Sequence, residues 1–283
     1  MLPNPGFSLY KTLCDAKGIA IKTYDLLPEK NWEADPAQIE SLIDEHTACI
    51  LINNPSNPCG SVFSRAFLEQ ILAVAERNFV PIIADEIYEY MAFEEGAYIP
   101  LASLTTEVPI LQVSGLSKRY MAPGWRIGWV AIHDRHGRFE HVRSGLYDYA
   151  TMILGPNALL QACIPSLMND TPAAYYERNL RLLHDNAKYC QKRALQIKGL
   201  KPVTPQGAMY TMVGIDRSIL KIENDVEFCR LLFTEESVHL LPGSCFGSGG
   251  VDFFRVVICP PIEQLEVAWD RIAQFCERYS IAQ

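Results

Sequence analysis

The chain has 283 residues, 49% hydrophobic and 20% charged, an ordinary globular balance that suits one large domain or two unequal ones. A net charge of −8 disfavours nucleic acid and anionic membrane as partners, so any bound phosphate must be held by a local site. Nine cysteines stand singly with no CxxC pair, which disfavours a zinc ribbon or redox couple and favours a reducing compartment. "MLPNPGFSLY" has no basic leader, and no apolar run reaches the roughly 20 residues of a membrane span. A soluble, cytoplasmic protein is expected.

In chain order, the apolar runs at 19–26, 48–54, 80–85, 108–115 and 126–133 read as strands. Between the first two, "DPAQIESLIDE" predicts a helix opened by Asp35 with Pro36 at its first position. Between the second and third, "SRAFLEQILAVAERN" has helical periodicity with Ser64 as its N-cap. This alternation predicts a three-layer α/β/α domain with a mostly parallel sheet over residues 1–160. Beyond it the pattern changes. A long amphipathic helix, capped by Thr171 and ended by Gly199, is followed by "AMYTMVGI", "NDVEFCRLLFTEE", "VHLLPG", "DFFRVVIC" and a last helix from "IEQLEVAWDRIAQ". These predict a smaller α+β domain over residues 161–283.

Four features lie at the predicted strand ends of the α/β half, where such sheets place ligands. They are "NNPSNPCG", "DEIY", "GLSK" and Arg126. Each alone has a plain structural reading: a turn, a helix cap at Asp85, a surface lysine and a surface ion pair. Together they suit pyridoxal 5'-phosphate, which needs a lysine for its aldehyde, an acid for its ring nitrogen, donors for its ring oxygen and a cation for its phosphate. Lys118, Asp85, Asn57 or Tyr88, and Arg126 supply that set.

The order "NNPSNPCG … ADEIY … GLSKRYMAPGWRIGW … FFRVV" resembles the fold type I pyridoxal-phosphate enzymes of the aspartate-aminotransferase kind. Within them, "PGFSLYKTL", "LLPEKNWEAD", "GAMYTMVGI" and "NDVEF" are similar to the tyrosine aminotransferase branch. The resemblance covers nearly the whole chain. It implies that Lys118 bonds the cofactor and shuttles the proton, that Asp85 holds the ring nitrogen, and that Asn57 and Tyr88 bond the ring oxygen. Arg126 would clamp the phosphate with a bidentate fork, Ser117 would add a contact to it, and Phe7 would stack on the ring. Arg255 would grip the substrate α-carboxylate; mid-strand between Phe and Val, it would otherwise be a costly buried cation.

The implied activity is transamination of tyrosine and other aromatic amino acids with 2-oxoglutarate, in a homodimer. The same residues also fit a nicotianamine-type aminotransferase or a carbon–sulfur lyase, because the pocket and not the cofactor chemistry decides the substrate. A third reading is a non-catalytic binding or dimerising module on the same scaffold. In such enzymes "PNPGFSLY" lies well inside the chain, so the resemblance implies that the N-terminal third, with its phosphate-binding turn, is lacking. A strand beside the one at 48–54 is implied to be lacking too, with "MLP" its last residues. The strand at 19–26 is then expected to have lost its neighbour and to expose an apolar edge. The chain alone is expected to bind cofactor weakly and to have little or no transaminase activity.

Overall fold

The computed structural model describes residues 1–281. In chain order the elements are β1 (Leu2–Asn4), α1 (Ser8–Lys17), β2 (Thr23–Leu27), β3 (Glu33–Ala34), α2 (Pro36–Ser41), β4 (Ile50–Asn53), α3 (Arg65–Arg77), β5 (Ile82–Asp85), β6 (Ile110–Gly115) and β7 (Gly128–His133). There follow α4 (Glu140–Ile153), α5 (Ala158–Asp170), α6 (Ala173–Gln196), β8 (Leu200–Pro202), β9 (Tyr210–Ile215), α7 (Asp225–Glu236), β10 (Leu241–Pro242), β11 (Phe253–Val257) and α8 (Ile262–Arg278).

The central sheet runs β4-β5-β6-β7, with the first three strands parallel and β7 antiparallel at the edge. All four residues of β4, "ILIN", are buried, as a strand covered on both faces requires. Ile50, Ile52, Ile82, Ala84 and Ile110 share one apolar core with Phe67, Leu68, Ile71 and Leu72 of α3. The helix starts predicted for this half are present: Asp35 accepts from Ala37 N, and Ser64 accepts from Phe67 N.

The strand read at 19–26 forms as β2 and keeps a neighbour, contrary to expectation. β1 pairs with it in parallel register, Leu2 opposite Thr23 and Asn4 opposite Asp25. Met1 O also accepts from Leu51 N at 3.0 Å, so the first residues of the chain bridge β2 to β4. Three residues therefore satisfy the backbone groups that were expected to be orphaned.

The C-terminal sheet is antiparallel, in the order β10-β11-β9-β8. A second core gathers Leu183, Cys190, Phe228, Leu232, Phe254, Val256, Trp269 and Phe275 from its helices and strands. The period of two along β11 buries Phe254 and Val256 here and turns Arg255 to the opposite face. One predicted cap is corrected. Thr171 ends α5, its hydroxyl donating to Leu167 O, and α6 starts behind Pro172 with no side-chain cap.

Candidate active site

The site grows from the carboxyl ends of the parallel strands. In the central sheet Asn53 lies opposite Asp85, and Asp85 opposite Val113, so β4, β5 and β6 end side by side. Asn53 Nδ2 donates to Asp85 O at 3.1 Å, while Asn53 Oδ1 accepts from Asn57 N at 2.8 Å. One buried amide thus ties the end of β5 to the turn that carries Asn57.

No helix starts at Asp85. Its Oδ1 accepts from Ile87 N at 3.1 Å, and its Oδ2 accepts from the phenol of Tyr10 on α1. Burial pushes the Asp85 carboxyl up, while the Tyr10 bond, the Ile87 amide and the Lys118 charge oppose that shift. The Tyr10 phenol is itself driven well above its ordinary value by burial and by the Asp85 charge, so it remains a donor. Each carboxylate oxygen keeps a second lone pair for a further donor.

Lys118 follows the end of β6 in a half-buried turn, its Nζ 5.4 Å from the centre of the Tyr88 ring. Among the described residues its ammonium makes no hydrogen bond or ion pair. Tyr88 is buried, and its phenol donates to the Tyr210 hydroxyl at 3.1 Å instead of standing free. Burial pushes the Tyr88 phenol far above its ordinary value, so it stays neutral.

Arg255 crosses to the same site from β11. Its Nη1 donates to Asn57 Oδ1 at 2.8 Å, and its guanidinium lies 4.2 Å from the Tyr210 ring centre and 4.6 Å from that of Phe246. Desolvation lowers its pKa, yet a guanidinium stays charged at any physiological pH. Its Nε–H is buried without a protein acceptor. A desolvated guanidinium with a fork edge unbonded is a strong site for a carboxylate.

The other predicted residues stand differently. Arg126 is exposed, in the left-handed region at φ 56°, and its Nη1 donates to Pro123 O of its own turn at 2.7 Å. It lines a cleft with Ser114, Gly128 and Trp129. Ser117 is half-buried, and its side chain has no hydrogen bond among the described residues. Phe7 sits at the start of α1, 36% exposed, its ring edge-on to Tyr10 at 5.5 Å. Phe7, Tyr10 and Phe246 line one cleft. Tyr10, Tyr210 and Phe246 were not singled out from sequence. For Tyr10 the signal was its place three residues after Phe7, one turn along the helix.

Residues 1–272 match the family described as aminotransferase class I and II. The chain belongs to that family. This aminotransferase-family chain is 51% identical to tyrosine aminotransferase of Mus musculus over 281 residues, covering 99% of itself and 62% of the mouse protein. It is 43% identical to tyrosine aminotransferase of Dictyostelium discoideum, covering 68% of that protein. The crystal structure of tyrosine aminotransferase from Leishmania infantum matches it with a TM-score of 0.94 at 34% identity, over 99% of this chain and 70% of that one. The alanine aminotransferase structure from Pyrococcus furiosus matches with a TM-score of 0.93 at 35% identity, over 98% and 70%. The fold expected from sequence is therefore the fold found. No helix among the described residues is long and apolar enough to cross a membrane.

Proposed function

We propose that this aminotransferase-family chain carries the reaction centre for moving an amino group from tyrosine and related aromatic amino acids to 2-oxoglutarate, with pyridoxal 5'-phosphate as cofactor. The observation that carries the reading is one connected set of groups. Arg255 bonds Asn57 and lies over the Tyr210 ring, Asn57 is set by Asn53, and Asn53 holds the backbone of Asp85. Lys118 Nζ stands 5.4 Å from the ring of Tyr88, which bonds Tyr210. That set fits the cofactor: a desolvated acid for its ring nitrogen, a lysine amine, an amide and a carboxylate-binding guanidinium.

When bound, the cofactor supplies an electron-withdrawing ring that acidifies the substrate Cα–H bond. The protein's own groups do the rest. Arg255 fixes the substrate carboxylate and so orients that bond. Lys118 Nζ, as a free amine, takes the proton from Cα. Asp85 attracts a cationic ring nitrogen the more strongly because it is poorly solvated, and Tyr10 keeps its carboxylate in place. Tyr88, Tyr210 and Phe246 give the site apolar walls that suit an aromatic side chain. The identity to tyrosine aminotransferases supports the same substrate class. Arg126 is the phosphate ligand in this reading once its fork leaves the Pro123 carbonyl, with Ser117 beside it and Phe7 against the ring.

A homodimer in the cytoplasm completes the proposal. In its support, α4 and α5 contain no buried residue and expose Tyr147, Met152, Ile153 and Leu159, apolar surface of the kind that subunit contacts cover. Sedimentation gives the subunit number directly.

The test is to mix the purified chain with pyridoxal phosphate, reduce with borohydride and map the added mass. A borohydride-stable adduct on Lys118, lost in Lys118→Ala, is expected, and a separate, unreduced sample is expected to turn over tyrosine with 2-oxoglutarate. No adduct on Lys118 at saturating cofactor would sink the proposal.

A further inference from the structure

Asn4 closes β1, 6% exposed, and uses its side chain on three partners. Nδ2 donates to Asp25 Oδ1 at 2.8 Å and to Ser248 Oγ at 3.0 Å, and Oδ1 accepts from Gly249 N at 2.8 Å. The base of this arrangement is fixed. Gln38 of α2 donates to Asp25 Oδ2 at 2.8 Å and accepts from Asp25 N at 2.9 Å. Two bonds from other parts of the chain run in parallel, Gly6 N to Phe246 O at 2.8 Å and Ser244 N to Asp225 Oδ2 of α7 at 2.8 Å.

The segment held in this way is 243–250, "GSCFGSGG", in which half the residues are glycine. Such a backbone has little preference of its own, so its place is set by its partners. Its tight return needs the glycines: a Cβ on Gly250 would meet Gly243 O at 2.1 Å, and one on Gly249 would meet Asn4 O at 2.7 Å. The load on the loop is Phe246, buried, with its ring 4.6 Å from the Arg255 guanidinium. By keeping water off that guanidinium, the ring strengthens its attraction for a carboxylate.

We infer that Asn4 is a positioning residue that latches the 243–250 loop, holds Phe246 over Arg255 and thereby sets the affinity for the substrate carboxylate. The inference rests on the reading of Arg255 as the carboxylate site. An asparagine suits the place because it donates twice and accepts once from one small planar group. Aspartate would turn a carboxylate against Asp25, and an apolar residue would leave Gly249 N–H and Asp25 without their partner.

The probe is 3-(4-hydroxyphenyl)propionate, a carboxylate with the phenol ring and no amino group to react. Its affinity for the full chain is measured by calorimetry, and hydrogen exchange is followed over 243–250. Asn4→Ala is expected to weaken the probe by about tenfold and to speed exchange of the loop amides by a similar factor. Phe246→Ala should cost the same affinity, and the double variant no more than either, because both changes remove one contact. Ser248→Ala gives a smaller loss in the same direction and serves if Asn4→Ala does not fold. Affinity unchanged while the loop loosens, or losses that add in the double variant, would overturn the latch. If the parent and Arg255→Gln bind the probe equally poorly, the carboxylate-site reading fails and this inference fails with it, whatever the exchange rates show.

Discussion

The Tyr10 phenol donates to Asp85 Oδ2, joining an otherwise exposed first helix to the end of a central strand. Of the groups that oppose the burial of Asp85, this bond is the largest. Tyr10→Phe leaves the ring and removes the donor. It should lower stability by about 1–3 kcal/mol in denaturant unfolding, and push the Asp85 carboxyl further up. An unchanged midpoint would mean that the phenol contributes nothing.

Asp85 also sets a pH dependence. Its folded carboxyl is raised, chiefly by burial, so the folded chain holds the proton longer than the unfolded chain as pH rises. Its contribution to stability is therefore full below the ordinary carboxylate range and is lost as pH climbs through the folded value. Asp85→Asn cannot ionise. Unfolding free energies measured from about pH 3 to 7 should fall less steeply for Asp85→Asn than for the parent, and equal slopes would refute it.

Arg255 is a cation held largely away from water, with one buried N–H unbonded. Arg255→Met removes the charge and keeps much of the volume. The fold should lose little or gain about 1 kcal/mol in thermal unfolding, while a carboxylate ligand should lose roughly 2–5 kcal/mol of binding. Arg255→Lys should recover only part of that affinity, because an ammonium lacks the planar fork.

Gly115 and Gly128 face each other across β6 and β7, immediately before the turn with Lys118 and after Arg126. A Cβ on Gly128 would meet Ser114 O at 2.9 Å, whereas one on Gly124 would meet nothing within 4 Å. Gly128→Ala should cost about 1–3 kcal/mol, and Gly124→Ala less than about 0.5 kcal/mol either way, in paired thermal melts. Equal effects would show that the strands can part freely at the lysine turn.

A simpler check addresses local structure. Ser64 accepts from Phe67 N at 3.2 Å to cap α3, whose apolar face fills the large core. Ser64→Ala should cost about 1 kcal/mol, read as a shift in the urea midpoint with an unchanged slope.

Much of the fold was readable because its signals are local. The apolar runs at 48–54 and 80–85 marked β4 and β5, and Asp35 and Ser64 marked helix starts that need only a side chain two or three residues away. The helices α1, α4 and α5 went unread: none buries a residue fully, although Leu160, Ile164 and Leu167 of α5 pack at helical spacing against Leu116, Tyr120 and Ile127. The expected bare edge at 19–26 failed for a reason of its own. Whether three residues suffice to pair a strand depends on where the chain lies in space, and no composition records that.

By itself the sequence determined which residue types end each strand: Asp85 after β5's apolar run, Lys118 beyond β6, and a lone arginine in "FFRVV". Those identities were enough to suggest a chemistry, because residue type and strand position are one-dimensional facts. Only the tertiary structure decided the partners. Tyr10 reaches Asp85 across 75 positions, Arg255 reaches Asn57 across 198, and Asn4 reaches Gly249 across 245. A hydrogen bond is a matter of about 3 Å in space. The chain closes such distances only when strand pairing and core packing have already placed both ends.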